Sequence, residues 1–146
     1  MKHTNLKEIL TICKNVAVVG LSKNPAKASY EVAQYLQNRG YHIVPVNPSA
    51  DEILSERSYK TLLDLPDKIQ KTIDIVDIFR PSEDIPAIVD QAITLKNLHE
   101  KLKAIWMQLG IINEQAAEKA RSAGLTAVMD KCMMQEHKRL FRNQHH

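Results

Sequence analysis

The chain has 146 residues, 44% hydrophobic and 25% charged. That length and balance suit one compact domain and exclude a large multidomain enzyme, a disordered polymer or a membrane-embedded chain. Lys and Arg number 20 against 17 Asp and Glu, a formal charge of +3, with aromatics at 5%; this argues against a nucleic-acid surface built on phosphate neutralisation or base stacking and favours a small anionic ligand.

Cys13 and Cys132, the two cysteines, make neither a disulfide framework nor a metal spacing, so a reducing compartment and no metal are expected. Charge interrupts the apolar residues near the N-terminus, and no run approaches the ~18 apolar residues of a membrane span. A cytoplasmic location with no leader peptide and no membrane partner is therefore expected.

Asn5 is placed to cap a short amphipathic helix carrying Leu6, Ile9, Leu10 and Cys13 on one face. Residues 16–21 form an apolar run without alternation, the pattern of a parallel strand covered on both faces. A polar loop over 22–27 leads to a helix over 29–39 with Val32, Ala33 and Leu36 inward and Gly40 as its stop. The second strand, 41–46, contains Pro45, whose missing N–H belongs near a strand end or at a disturbed ladder position.

Residues 57–59 read as a short edge strand and 62–65 as a helical turn. Residues 73–79 are strand-like, and Ser82 is expected to cap a helix running to about His99. A strand over 104–107, a helix over 114–123 capped by Asn113, a strand over 125–129 and a last helix over 133–142 complete the pattern. Strands separated by helices imply right-handed crossovers. The expected fold is α/β: a three-layer α/β/α, Rossmann-like, doubly wound parallel sheet of strand order 3-2-1-4-5-6, with a truncated third strand and residues 1–146 as one domain.

Ligands of such sheets lie at the carboxyl ends of the strands where the order reverses, here between the first and fourth strands. Gly20 ends the first; without a Cβ it lets a pyrophosphate approach the main chain beside the next helix N-terminus, with Leu21 and Ser22 in the same turn. Alternatively it only turns the chain. Lys23 and Lys27 add charge nearby. Arg80 follows the fourth strand and either meets phosphate in a bidentate contact or caps a neighbouring carbonyl. Gln108 and Gly110 follow the fifth strand toward the cleft, whereas Trp106 reads as core.

Cys132 precedes a helix, but Asp130 opposes the charge of Lys131 and no histidine has a pairing spacing, so a structural thiol is favoured. The fingerprint G-x-G-x-x-G is absent, and Asn47-Pro48 stands where NAD proteins carry a ribose-binding acid. No catalytic constellation is visible. His3, His42, His99, His145 and His146 carry no metal spacing, and Asp77, in an apolar strand, needs a partner if buried.

Taken together, residues 16–22 with Pro25, Val44-Pro45-Val46-Asn47-Pro48, Asp77-Ile78-Phe79-Arg80, Trp106-Met107-Gln108-Leu109-Gly110, residues 113–117 and Met129-Asp130-Lys131-Cys132 resemble the CoA-binding domain family, in particular its small single-domain bacterial members. That family is similar to the nucleotide-binding N-terminal domain of the succinyl-CoA synthetase α subunit. The resemblance implies a Rossmann-like fold that holds coenzyme A or an acyl-CoA by its ADP part.

On matching positions, the resemblance implies that Gly20, Ser22 and Pro25 shape the phosphate loop and that Val46, Asn47 and Pro48 border the adenosine. Phe79 and Arg80 would flank the pyrophosphate or pantetheine, with Gln108, Gly110 and Cys132 completing the set. Lys23, Lys27 and Arg80 would neutralise the pyrophosphate and the 3′-phosphate. The synthetase's phosphorylated histidine lies in a separate domain, so binding and not ligase chemistry is implied. A valine at Gly20 is expected to take the phosphate's place and abolish binding with the fold retained. An NAD(P)-binding oxidoreductase-like domain, or an interaction protein with a vestigial cleft, are the alternatives.

Overall fold

The structure is a computed structural model and describes residues 5–142; His3, His145 and His146 lie outside them. In chain order the elements are α1 (Leu6–Ile12), β1 (Asn15–Val19), α2 (Ala28–Asn38), β2 (His42–Val46), β3 (Glu52–Ile53), β4 (Glu56–Arg57), α3 (Asp67–Gln70), β5 (Ile75–Ile78), α4 (Ile85–His99), β6 (Ala104–Met107), α5 (Glu114–Ser122), β7 (Thr126–Val128) and α6 (Met133–Phe141). Among the described residues, β2, β1, β5, β6 and β7 form a parallel sheet in that order. The reversal of order falls between β1 and β5, as the apolar runs and crossovers predict.

Both faces of the sheet are covered. Val16 and Val18 of β1 pack with Leu10 of α1, Val32 and Leu36 of α2 and Met133 of α6. Ala17 and Val19, pointing the other way, pack with Ile88 and Val89 of α4 and Ala117 of α5. The side-chain period of two therefore feeds two separate cores, which is why β1 shows no polar alternation.

The expected third strand narrows to a single parallel bridge between Tyr59 and Val46, while Arg57 belongs to the β3–β4 hairpin. Tyr59 N–H donates to the Pro45 carbonyl (3.1 Å), and Asn47 N–H donates to the Tyr59 carbonyl (2.8 Å). In a parallel strand one residue's N–H and C=O leave on the same side. The nitrogen of Pro45 thus faces outward, away from β1, and costs the central ladder nothing.

Asn5 and Asn113 cap their helices by accepting from Lys7 N–H (2.8 Å) and Ala116 N–H (3.0 Å). Ser82 does not cap α4. It sits in a preceding 3-10 turn, and its Oγ accepts from Ile112 N–H at 3.3 Å. The proline in the first turn of α4 starts that helix instead, with φ already preset and no N–H to satisfy.

Two carboxylates at β5 have opposite fates. Asp74, buried just before the strand, accepts from the Lys14 and Asn15 amides at 3.1 Å each and pairs with Lys101. Asp77 is 0% exposed, beside Val18 and Trp106 in the ladder, and neither oxygen makes a hydrogen bond of good geometry. Burial pushes its carboxyl well above the usual range, with the Ile78 amide pulling weakly the other way.

The folded state therefore keeps the Asp77 proton to a higher pH than the unfolded chain does. Its contribution is complete below the ordinary carboxylate range and is lost as pH rises beyond it, at up to about 1.4 kcal/mol per pH unit. Asp77→Asn is expected to remove this slope, so denaturation midpoints of variant and wild type should diverge in the variant's favour from pH 4 toward pH 8. Parallel pH profiles would show that Asp77 is ionised in the fold.

Candidate functional site

The turn after β1 is governed by a close approach. Gly20 has φ +86°, and a Cβ there would lie 2.5 Å from the Phe79 carbonyl oxygen and 2.9 Å from Arg80 Cδ. Its own N–H donates to the Val46 carbonyl at 2.9 Å. Gly20 thus lets the carboxyl ends of β1, β2 and β5 converge at the switch point. The expectation that a valine here would keep the fold and merely displace a phosphate is corrected: the clash is with the main chain of Phe79, just after β5.

The following loop spends most of its amides internally. Ser22 N–H donates to Ser29 Oγ (2.9 Å), Asn24 N–H to Ser22 Oγ (3.0 Å) and Ala26 N–H to Asn24 Oδ1 (3.0 Å). Lys27 occupies the N-cap of α2 without a side-chain capping bond. The donors left for an anion include those of the first turn of α2, residues 28–30, which have no intrahelical acceptor.

Two cavities open above the sheet. The first, about 580 Å³, is lined by Gly20, Ser22, Val46, Asn47, Pro48 and Arg80 among the residues marked from sequence. The second, about 360 Å³, takes Phe79, Arg80, Gln108 and Cys132. Arg80 lines both, so it stands at their junction. Its Nη2 and Nε donate to Asp84 Oδ2 at 2.8 and 3.1 Å, in an ion pair exposed enough to be exchanged at little cost.

Other marked residues have different places. Leu21 is fully buried in the core, and its carbonyl accepts from Asn47 Nδ2 at 2.8 Å. Asn47 Oδ1 accepts from Ser49 N–H at 2.7 Å, so this side chain ties the ends of β1 and β2 together. Lys23, Pro25 and Lys27 are exposed and line neither cavity. Gly110, at φ +80°, also lines neither; its N–H donates to Asp130 Oδ1 at 2.7 Å.

Gln108 is buried, with Oε1 accepting from Met133 N–H at the start of α6 (3.2 Å). Cys132 is the N-cap of α6 and 6% exposed. His137, five residues on, bonds Tyr35 Oη through Nδ1 at 2.8 Å and stacks on Phe141. Trp106 is core, its Nε1 donating to the Lys131 carbonyl at 2.8 Å.

The rest of the first wall, including Lys60, Thr61, Glu83, Asp84 and Gln91, carries no motif that marks it in sequence. Among the described residues no group of three or more His, Cys, Asp or Glu could hold a metal ion, and no helix is long and apolar enough to cross a membrane.

Because the Gly20 Cα faces a carbonyl at a positive φ, Gly20→Ala is expected to destabilise the fold by about 2–4 kcal/mol. Urea denaturation should show a lower midpoint at unchanged slope; wild-type stability would mean that β5 yields freely at Phe79.

The CoA binding domain family matches residues 14–138. The chain is 37% identical over 132 residues to the uncharacterised protein YneT of Bacillus subtilis, covering 90% of this chain and 91% of YneT. A solved structure of a hypothetical protein from Pyrococcus horikoshii superposes with TM-score 0.83 at 37% identity, over 97% of this chain and 99% of that one. The ADP-forming acetate–CoA ligase II of Archaeoglobus fulgidus is 35% identical over 78 residues, 52% of this chain but only 11% of the ligase. With a match that takes in nearly all of its sheet and helices, the chain belongs to the CoA-binding domain family.

Proposed function

We propose that the chain is a binding module for coenzyme A, free or acylated, gripped by its ADP and pyrophosphate part at the carboxyl ends of the strands. The observation that carries this reading is the pair of cavities joined at Arg80, beside the uncapped first turn of α2. One elongated molecule, anionic at its middle, suits that arrangement. Adenosine takes the larger cavity over Asn47 and Pro48, and the diphosphate sits at the junction. The pantetheine arm then runs into the second cavity, whose walls include Val32, Phe79, Leu109, Ile111 and Met134.

The residues present fit such a ligand and fit NAD less well. A ribose-holding acid is replaced by Asn47, whose amide is already spent on Leu21 and Ser49. Arg80 exchanges Asp84 for phosphate, trading an exposed ion pair for bidentate bonds to a more highly charged group. The family membership supports the same ligand class.

Arg80→Ala is expected to weaken coenzyme A binding about 10–100-fold, the worth of one or two charge-assisted hydrogen bonds. The fold should persist, since the Arg80 side chain is half exposed. Calorimetric titration of both proteins with coenzyme A, and of the wild type with NAD, checks this. Silence of the wild type toward millimolar coenzyme A, or NAD binding more tightly, would reject the reading.

A further inference from the structure

We propose that Lys60 reads the 3′-phosphate of the bound coenzyme, so that the first cavity selects a 3′-phosphorylated ADP unit over plain ADP. This deepens the coenzyme A reading and rests on it.

A 3′-phosphate carries about −1.5 to −2 charges near neutral pH and must meet a cation to leave water. Lys23 and Lys27, the cations nearest the phosphate loop in sequence, line neither cavity. Arg80 stands at the junction and serves the diphosphate. Among the described residues, the first cavity has one other lysine or arginine on its wall, Lys60, and it takes part in none of the ion pairs formed there.

Its place in the fold fits the role. In open parallel sheets that bind dinucleotides, residues near the end of the second strand meet the ribose hydroxyls or a phosphate carried on them. Here that strand is β2, ending at Val46. The next backbone outward is Tyr59, bridged to Val46 in parallel. Lys60 is the residue that leaves the carboxyl end of this bridge, so it occupies the rim that a ribose 3′ substituent faces.

Charge on the remaining walls acts in the same direction. Glu83 and Asp84 line the same cavity just before α4, and with Asp84 paired to Arg80 the Lys60 rim is the part of the wall that offers a phosphate an unpaired cation. The side chain of Lys60 is exposed, so the contact is salt-sensitive and intermediate in strength between a surface ion pair and a buried one.

Titration of wild type and Lys60→Gln with coenzyme A and with 3′-dephospho-coenzyme A, at matched ionic strength, tests the assignment. The wild type is expected to prefer coenzyme A about 5–20-fold, a range set by one partly screened charge-assisted contact. In Lys60→Gln the preference should fall to about twofold or less through loss of coenzyme A affinity alone, with Lys60→Arg restoring it. An undiminished preference in Lys60→Gln, or equal weakening toward both ligands, overturns the assignment. So does a wild type that binds both ligands alike, and this leaves the coenzyme A site itself standing. A wild type that binds neither ligand removes that reading and this one together.

Discussion

The whole upper surface of the sheet depends on how near β1 and β5 come to one another at their carboxyl ends. A carbonyl oxygen of Phe79 occupies the space where any side chain on residue 20 would begin. With that spacing, the Gly20 amide reaches Val46 on the other flank, and three strand ends are drawn into one rim. Arg80, the residue after Phe79 beyond the end of β5, is thereby delivered to the boundary between two cavities. The glycine is thus a packing requirement first, and the shape of the ligand site follows from it.

The loop that leaves this rim is organised by short side chains. Ser22 and Asn24 satisfy the amides two residues on in Ser- and Asx-type turns, and Ser29 accepts from Ser22 N–H across the loop. Such a loop holds its shape without help from a bound anion, and ordering it costs little on binding. The amides of the first turn of α2 remain unsatisfied, and there the peptide dipoles reinforce one another. The anion-attracting region is therefore narrower than the loop as a whole.

Much of this was legible in the amino-acid order. The unbroken apolar run at β1 announces burial on both faces, and Asn5 and Asn113 announce helix starts that their side chains do make. Ser82 misled because a proline in the first turn offers α4 a different beginning. Lys23 and Lys27 seemed close to a phosphate because they are close along the chain, yet loop turns carry them out of both cavities. Lys60, Glu83 and Gln91 had no period or spacing to mark them. Only the return of the chain past β2 and the packing of α4 bring them to one wall, and that is tertiary information.

Pro45 has an effect beyond the ligand site. Its blank nitrogen and its carbonyl, already occupied by Tyr59, lie on the outer margin of β2. At Pro45, buried beside the returning segment at Tyr59, that margin has no donor to offer and its acceptor is taken. Sheet margins are where proteins run the greatest hazard of stacking into aggregates, and here the proline and the bridging Tyr59 together blunt the carboxyl half of that margin while leaving the bond from Gly20 to Val46 untouched.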